Sequence, residues 1–326
     1  MSKKRRQNLL TNILIVLTFV FGLGLSLYPT VSDVYGKYRD SKLMTNYEES
    51  VKHLSNNKKE NLLNDAIKYN EDLVNNNNGF LITKNQHKEQ VEANNKEEVK
   101  TYENMLKSSS SSIMGTLSIP SIAVTLPLYH WSSDSVLEKG IGHIHGSSLP
   151  VGNGVDPEDP NFSNIVGSHS LFIGHRGLPS LKLFSDLDEV TTGDMFYIKV
   201  LDKVYAYKVY ATEIVEPTEV ENLKIEPGRD LCTLITCTPY GVNTHRILVK
   251  GERVLYNGEE LEAPIMKKIW KTIDPKTIFG ICFIIYIIFL ICYLKRRKKR
   301  KQKGTKGEHN ETKETFSNDI ERIDNS

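Results

Sequence analysis

The sequence predicts a mainly β protein: a single closed or nearly closed barrel, preceded by a polar helical segment and bracketed by two membrane spans. Three observations carry that prediction. Strand-like runs rich in β-branched and aromatic residues recur between turn signals over residues 113–256. Residues 29–112, ahead of them, are polar and rich in Asn, Lys and Glu. Two uncharged apolar segments, 9–28 and 277–294, flank both.

Composition removes several classes. The 326 residues carry 42 Lys and Arg against 40 Asp and Glu, a net charge of +2. A nucleic-acid binder working through bulk charge needs a clear basic excess. The 4 cysteines are too few for a disulfide-built scaffold. Collagen, coiled-coil rod, small secreted knot and wholly disordered chain are disfavoured on the same grounds.

Leu9 to Tyr28 is uncharged over about 20 residues, enough to cross a bilayer. Lys3, Lys4, Arg5 and Arg6 precede it. A cleaved signal peptide needs small residues before the cut. Leu27, Tyr28 and Pro29 fit that poorly, so an uncleaved anchor is expected. Thr277 to Leu294 is the second span, followed at once by the basic run Lys295 to Arg300. Basic clusters flanking spans stay in the cytosol. Residues 1–8 and the tail 295–326 are therefore expected inside, and Pro29 to about Asp274 outside the cell membrane. Lipid contact by the tail is a minor addition to this topology.

Within 29–112, the stretch Glu60 to Val74 spaces Leu62, Leu63, Ala66, Ile67 and Leu73 as an amphipathic helix does. Asn75 to Gly79 breaks the pattern, and Phe80, Leu81 and Ile82 form an isolated apolar island. Lys84 to Lys107 has helical potential, and Ser108 to Ser112 is a serine linker. The region reads as a mobile helical preface with no core of its own. Over 113–256 the turn signals are Thr192-Gly193-Asp194, Asp202-Lys203, Pro227-Gly228-Arg229 and Tyr240-Gly241. Residues 257–276 form a juxtamembrane segment, with a short helix expected over Leu261 to Lys271.

Cys282 and Cys292 lie in the second span and read as apolar fillers. Outside, Cys232 and Cys237 are five apart in the β-rich run DLCTLITCT. Strand parity sends their thiols to opposite faces, which argues against a disulfide between them. Cys237 ends this run, and the chain returns as Arg246-Ile247-Leu248-Val249. An antiparallel pair with residues 238–245 as its loop sets Cys237 opposite Arg246, on one face. A guanidinium there favours thiolate and can hold an oxyanion during acyl transfer. The bland alternative is a buried Cys beside a surface Arg. Among the histidines, His143 and His145 are spaced to share a strand face as metal ligands, without an obvious third ligand. A structural or groove role for that pair is favoured, and no cofactor is expected. His169 and His175 share the segment SHSLFIGHRG, and His245 sits in NTHRILV. Gly174, Gly177 and Pro179 turn the chain at His175 and present it in a loop.

The run TLITCTPYGVNTHRILVKGERV resembles the catalytic signature of the sortases. GHIHGSSLPVG and HSLFIGHRGLPSLKLFSDLDEVTTGDMFYI resemble their pilus-assembling branch, the class C sortases. The resemblance implies an eight-stranded sortase-type barrel with Cys237 as nucleophile, His175 as acid and base, and Arg246 as oxyanion or substrate clamp. It also implies cleavage of an LPxTG-like sorting signal between Thr and Gly, and transfer of the acyl group to a pilin lysine. Partners would be pilin or surface-protein substrates and the bilayer, not nucleic acid. Sorting to cell-wall peptidoglycan, a hydrolysing thiol protease and a tethered binding module stand as alternatives. One departure is plain. Class C sortases usually carry an Asp-Pro-aromatic lid plug, and none occurs between Val31 and Ser112. Asp156-Pro157 and Asp159-Pro160 lie in an apparent insertion within the barrel region. Phe80 is the best substitute plug.

Overall fold

The computed structural model describes residues 3–75, 96–108, 112–152, 166–178, 181–258 and 261, with isolated positions between 280 and 291. The chain forms two compact units, residues 1–27 with 273–326, and residues 28–272. Helix α1 (Lys3–Lys52) begins in the first unit and ends in the second. Among the described residues it is the one helix long and apolar enough to cross a membrane. Most of the expected second span, the island around Phe80 and most of the segment 261–271 lie outside the described residues.

The sequence placed a boundary at residue 29, yet α1 continues through Pro29. The mobile preface is also corrected. α2 (Asn56–Asn75) and α3 (Lys96–Asn104) bury Leu62, Ala66, Val99 and Tyr102, and Leu106 follows. With Tyr47 and Val51 of α1 they belong to the same apolar core as the barrel. The physical reason is spacing. One apolar residue every three or four positions makes a narrow stripe, which a polar composition hides but a neighbouring barrel can cover. Each fully buried large side chain is worth about 1.5–3 kcal/mol. Buried polar groups fix the docking: the Tyr47 hydroxyl donates to the Met114 carbonyl at 2.9 Å and accepts from Leu201 N–H at 2.8 Å. The Asn70 amide donates to the carbonyls of Leu149 and Gly152, and accepts from Leu149 N–H at 2.7 Å.

Eight strands close a barrel in the order β1-β2-β3-β4-β7-β8-β6-β5. They are β1 (Ile113–Ile119), β2 (Val124–Tyr129), β3 (Ile141–His143), β4 (Ser168–Ile173), β5 (Met195–Val200), β6 (Lys203–Val215), β7 (Asp230–Thr238) and β8 (His245–Val254). The pairs β2–β3 and β4–β7 are parallel and the rest antiparallel. β3 has three residues, too few to show a period of two. It is set by close approach instead: a Cβ on Gly142 would come within 2.4 Å of the Trp131 carbonyl. The core face of β4, β7 and β8 holds Phe172, Cys232, Leu234, Ile247 and Val249. A buried Asp230–Arg253 pair at 3.1 Å, with the Tyr207 hydroxyl on Asp230, lies at the opposite end of β7 from Cys237.

Candidate active site

β7 runs between β4 and β8, and it brings the three predicted site residues into one row. The β7–β8 register sets Cys237 opposite Arg246, as the hairpin arithmetic requires. The parallel β4–β7 register ends at Ile173 opposite Ile235. Gly174 N–H still donates to the Ile235 carbonyl at 3.1 Å, and the same register counted two residues past the last pair brings the loop residue His175 level with Cys237. Neighbouring strands lie about 4.8 Å apart, so the outer members of the row are separated by about 10 Å of sheet. Val215 of β6, opposite Arg246, extends the row by one strand.

Parity puts this row on the outer face of the barrel. Cys232, five residues before Cys237, points into the core and is wholly buried, while Cys237 is partly exposed; neither is in a disulfide. Burial holds the Cys232 thiol well above its ordinary value, so it stays protonated. Along the same outer face run Leu171, Ile235 and Leu248, which pack with Ile144 and Leu223 in a small apolar cluster separate from the core. Ile173 and Val215 border this cluster and are only partly buried. The apolar floor is thus covered at the Leu223 end and opens toward Cys237. Arg246 is partly exposed, and its Nη1 donates to the carbonyls of Asn243 and His245, both at 3.0 Å. His175 is partly exposed, and its carbonyl accepts from Phe184 N–H at 3.2 Å.

Three of the other histidines weighed from the sequence, His143, His145 and His169, lie apart from this row. His143 is fully buried, with Nε2 2.8 Å from the Ser148 carbonyl and Nδ1 2.5 Å from the Tyr102 hydroxyl. Those partners fix an Nε2–H tautomer that accepts from Tyr102. Burial pushes its pKa down to about 3. His145 lies just beyond β3, stacks on Trp131 and contacts the edge of Tyr102. Its Nε2 is 3.7 Å from Glu98, but burial outweighs that carboxylate and lowers its pKa. The pair therefore seats α3 on the barrel. His169, pushed down to about 4 by burial, spans the Lys224 carbonyl and the Thr233 hydroxyl. His245 is exposed at the start of β8. Sequence reasoning missed the residues flanking the row. The Thr236 hydroxyl donates to the Gly174 carbonyl at 2.8 Å, and Arg176 Nη1 donates to the Thr238 hydroxyl at 3.1 Å. Their available signal was position alone, next to Cys237 and His175.

Residues 117–254 match the sortase domain family. The fold aligns with sortase C1 from Streptococcus agalactiae at a TM-score of 0.55 and 37% identity, over 66% of this chain and 100% of that one. The chain belongs to the sortase family. Sortase C from Streptococcus pneumoniae, whose structure concerns pilin substrate specificity, aligns at a TM-score of 0.53 and 34% identity, over 68% of this chain and 99% of that one. These neighbours support the class C branch of these cysteine transpeptidases. Among curated proteins, sortase A of Streptococcus agalactiae serotype III (strain NEM316) is 30% identical over 146 residues, 45% of this chain and 55% of that protein. Sortase D of Bacillus subtilis (strain 168) is 28% identical over 143 residues, 43% and 63% of the two chains. This sortase thus spans between half and two-thirds of such curated relatives.

Proposed function

We propose that this chain is a membrane-anchored cysteine transpeptidase that joins pilin subunits. The observation that carries the reading is the row formed by Cys237 on β7, Arg246 opposite it on β8 and His175 in the loop that leaves β4, at the open end of an apolar floor. The Cys237 thiolate attacks the Thr carbonyl carbon of an LPxTG-like signal seated on that floor. Arg246 holds the oxyanion through its guanidinium. His175, as imidazolium, gives its proton to the departing glycine amine, and the C–N bond breaks to leave a thioester on Cys237. A lysine amine of the next pilin then attacks the thioester. His175 takes the amine proton, an isopeptide bond forms as the C–S bond breaks, and the Cys237 thiolate and the His175 imidazolium are restored.

Topology supports the assignment. The apolar start of α1, preceded by Lys3 to Arg6, anchors the chain with its N-terminus in the cytosol, and the basic run after residue 294 holds the other end there. Residues 29–276 then face outward, where sorting signals arrive. The structural neighbours favour pilin lysine as acceptor, and cell-wall peptide is the second acceptor to test. Phe80 is proposed as the side chain that covers the groove in the resting enzyme. The decisive experiment incubates the full chain in detergent with an LPxTG peptide and either a pilin lysine peptide or a wall-peptide amine. Mass spectrometry should find a thioester on Cys237 and an isopeptide product with the pilin amine. A product confined to the wall amine would make it an anchoring sortase, and the absence of any adduct at Cys237 would remove the assignment.

A further inference from the structure

We infer that Arg176 is a positioning residue for the thiol–imidazole pair, acting through Thr238 and Asp188; this rests on the reading of Cys237 and His175 given above. β4 ends at Ile173, so His175 stands in a loop rather than a strand. Ahead of His175, the loop is fastened to β7 by Gly174 N–H on the Ile235 carbonyl and by the Thr236 hydroxyl on the Gly174 carbonyl. Beyond His175 no backbone bond to β7 continues among the described residues. The side chain that reaches β7 itself from there is Arg176, while just past β7 the Tyr240 hydroxyl donates to the Gly177 carbonyl at 3.2 Å. Arg176 Nη1 donates to the Thr238 hydroxyl at 3.1 Å, and Nη2 to Asp188 Oδ2 at 2.6 Å.

The residues on either side of His175 are therefore tied to the threonines on either side of Cys237. By strand parity both threonines point away from the thiol, and both are buried, so the ties sit behind the reacting face. Arg176 itself is only 12% exposed in its side chain, whereas Asp188 is 46% exposed. An ion pair that open on one side adds little to stability. The guanidinium's two ends instead span two elements, the end of β7 and the short 3-10 turn Leu187–Glu189 that follows the His175 loop. Among the described residues its Nε is enclosed without a partner, and the two Nη bonds seat the head group. A lysine ammonium is a point charge and does not reproduce a planar fork across two acceptors.

Three variants of the full chain test this: Arg176→Lys, Thr238→Val and Thr238→Ser. Two readouts are used, kcat and KM on a fluorogenic LPxTG peptide, and the rate of Cys237 alkylation by iodoacetamide, which does not depend on the sorting sequence. Misplacing a reacting group by about 1 Å costs up to about a hundredfold. Arg176→Lys and Thr238→Val should each lower kcat by about ten- to a hundredfold with KM little changed, and slow alkylation. Thr238→Ser keeps the hydroxyl and should recover most of the loss. The double variant should lose no more than the worse single one, because both remove one link. Thermal midpoints near the parent's would show that folding is not the cause. Unchanged kcat and alkylation in both single variants, losses that multiply in the double variant, or a Thr238→Ser enzyme as poor as Thr238→Val would each overturn the positioning role. Cys237→Ala separates the two levels. An inactive Cys237→Ala beside normal Arg176 and Thr238 variants removes only the positioning role, whereas an active Cys237→Ala removes the site assignment beneath it.

Discussion

Acid should loosen α3 from the barrel before the barrel itself opens. Two buried histidines lie at that seam. His130 Nε2 is 2.8 Å from the Met105 carbonyl, just past α3, and burial pushes its pKa down to about 4. His143 meets Tyr102 of α3 and is pushed down to about 3. Their unfolded value is about 6.5. Because the folded values are depressed, the undocked state binds more protons between the two limits. Stability from the neutral pair is fully present above about pH 6.5 and is lost as pH falls toward 4 and then 3. Each group contributes about 1.4 kcal/mol per pH unit in that window. A pH of 5 lies about 1.5 units below the unfolded value, so the pair costs up to about 4 kcal/mol of docking free energy, the limit in which undocking exposes both rings. Hydrogen exchange, corrected for intrinsic pH effects, reads this directly. Residues 96–108 should lose protection between pH 6.5 and 5 while β7 and β8 keep theirs. A His130→Gln/His143→Gln variant should show a much flatter pH dependence. Equal protection of α3 at both pH values, or an unchanged slope in the double variant, would refute the reasoning.

Four further outcomes are expected. Cys237→Ala should abolish adduct formation, while Cys232→Ala, a buried core truncation, should cost about 1 kcal/mol of stability and spare turnover, as peptide assays and thermal unfolding will show. His175→Ala should lower turnover by about 10²–10⁴-fold, and the parent's activity should survive EDTA in the same assay. Arg246→Lys should be damaging despite its retained charge, since a guanidinium presents a fork of donors; a near-normal rate would remove the clamp role. Phe80→Ala in the full chain should speed labelling of Cys237 by a small thiol reagent, and unchanged labelling would leave residues 76–95 a spacer.

The legible part of this protein was local. The pairing of Cys237 with Arg246 follows from counting across a hairpin, because an antiparallel register is fixed by its loop, and the structure reproduces it. The place of His175 does not follow from counting. Its neighbour strand is parallel and 62 residues away, so only the resemblance to the sortases named it from the sequence. The docking of α2 and α3 was hidden for another reason. Leu62, Ala66, Val99 and Tyr102 are sparse among charged residues, and their burial depends on a surface that exists only once the barrel has closed. Arg176 was invisible because its partners are a hydroxyl and a carboxylate from separate elements.

The central place of β7 bears on when the chemistry can start. Its neighbours on the two sides come from opposite ends of the folding problem: β8 follows after a short connection, whereas β4 pairs in parallel at a sequence separation of 62. Long-range parallel pairing forms slowly, because the closure entropy must be met before the contacts reward it. A chain in which β7 has paired with β8 but not yet with β4 would hold Cys237 opposite Arg246 without His175 in place. On the proposed roles, the nucleophile meets its acid and base only once that long-range pairing is made, so a partly folded chain would lack the complete site.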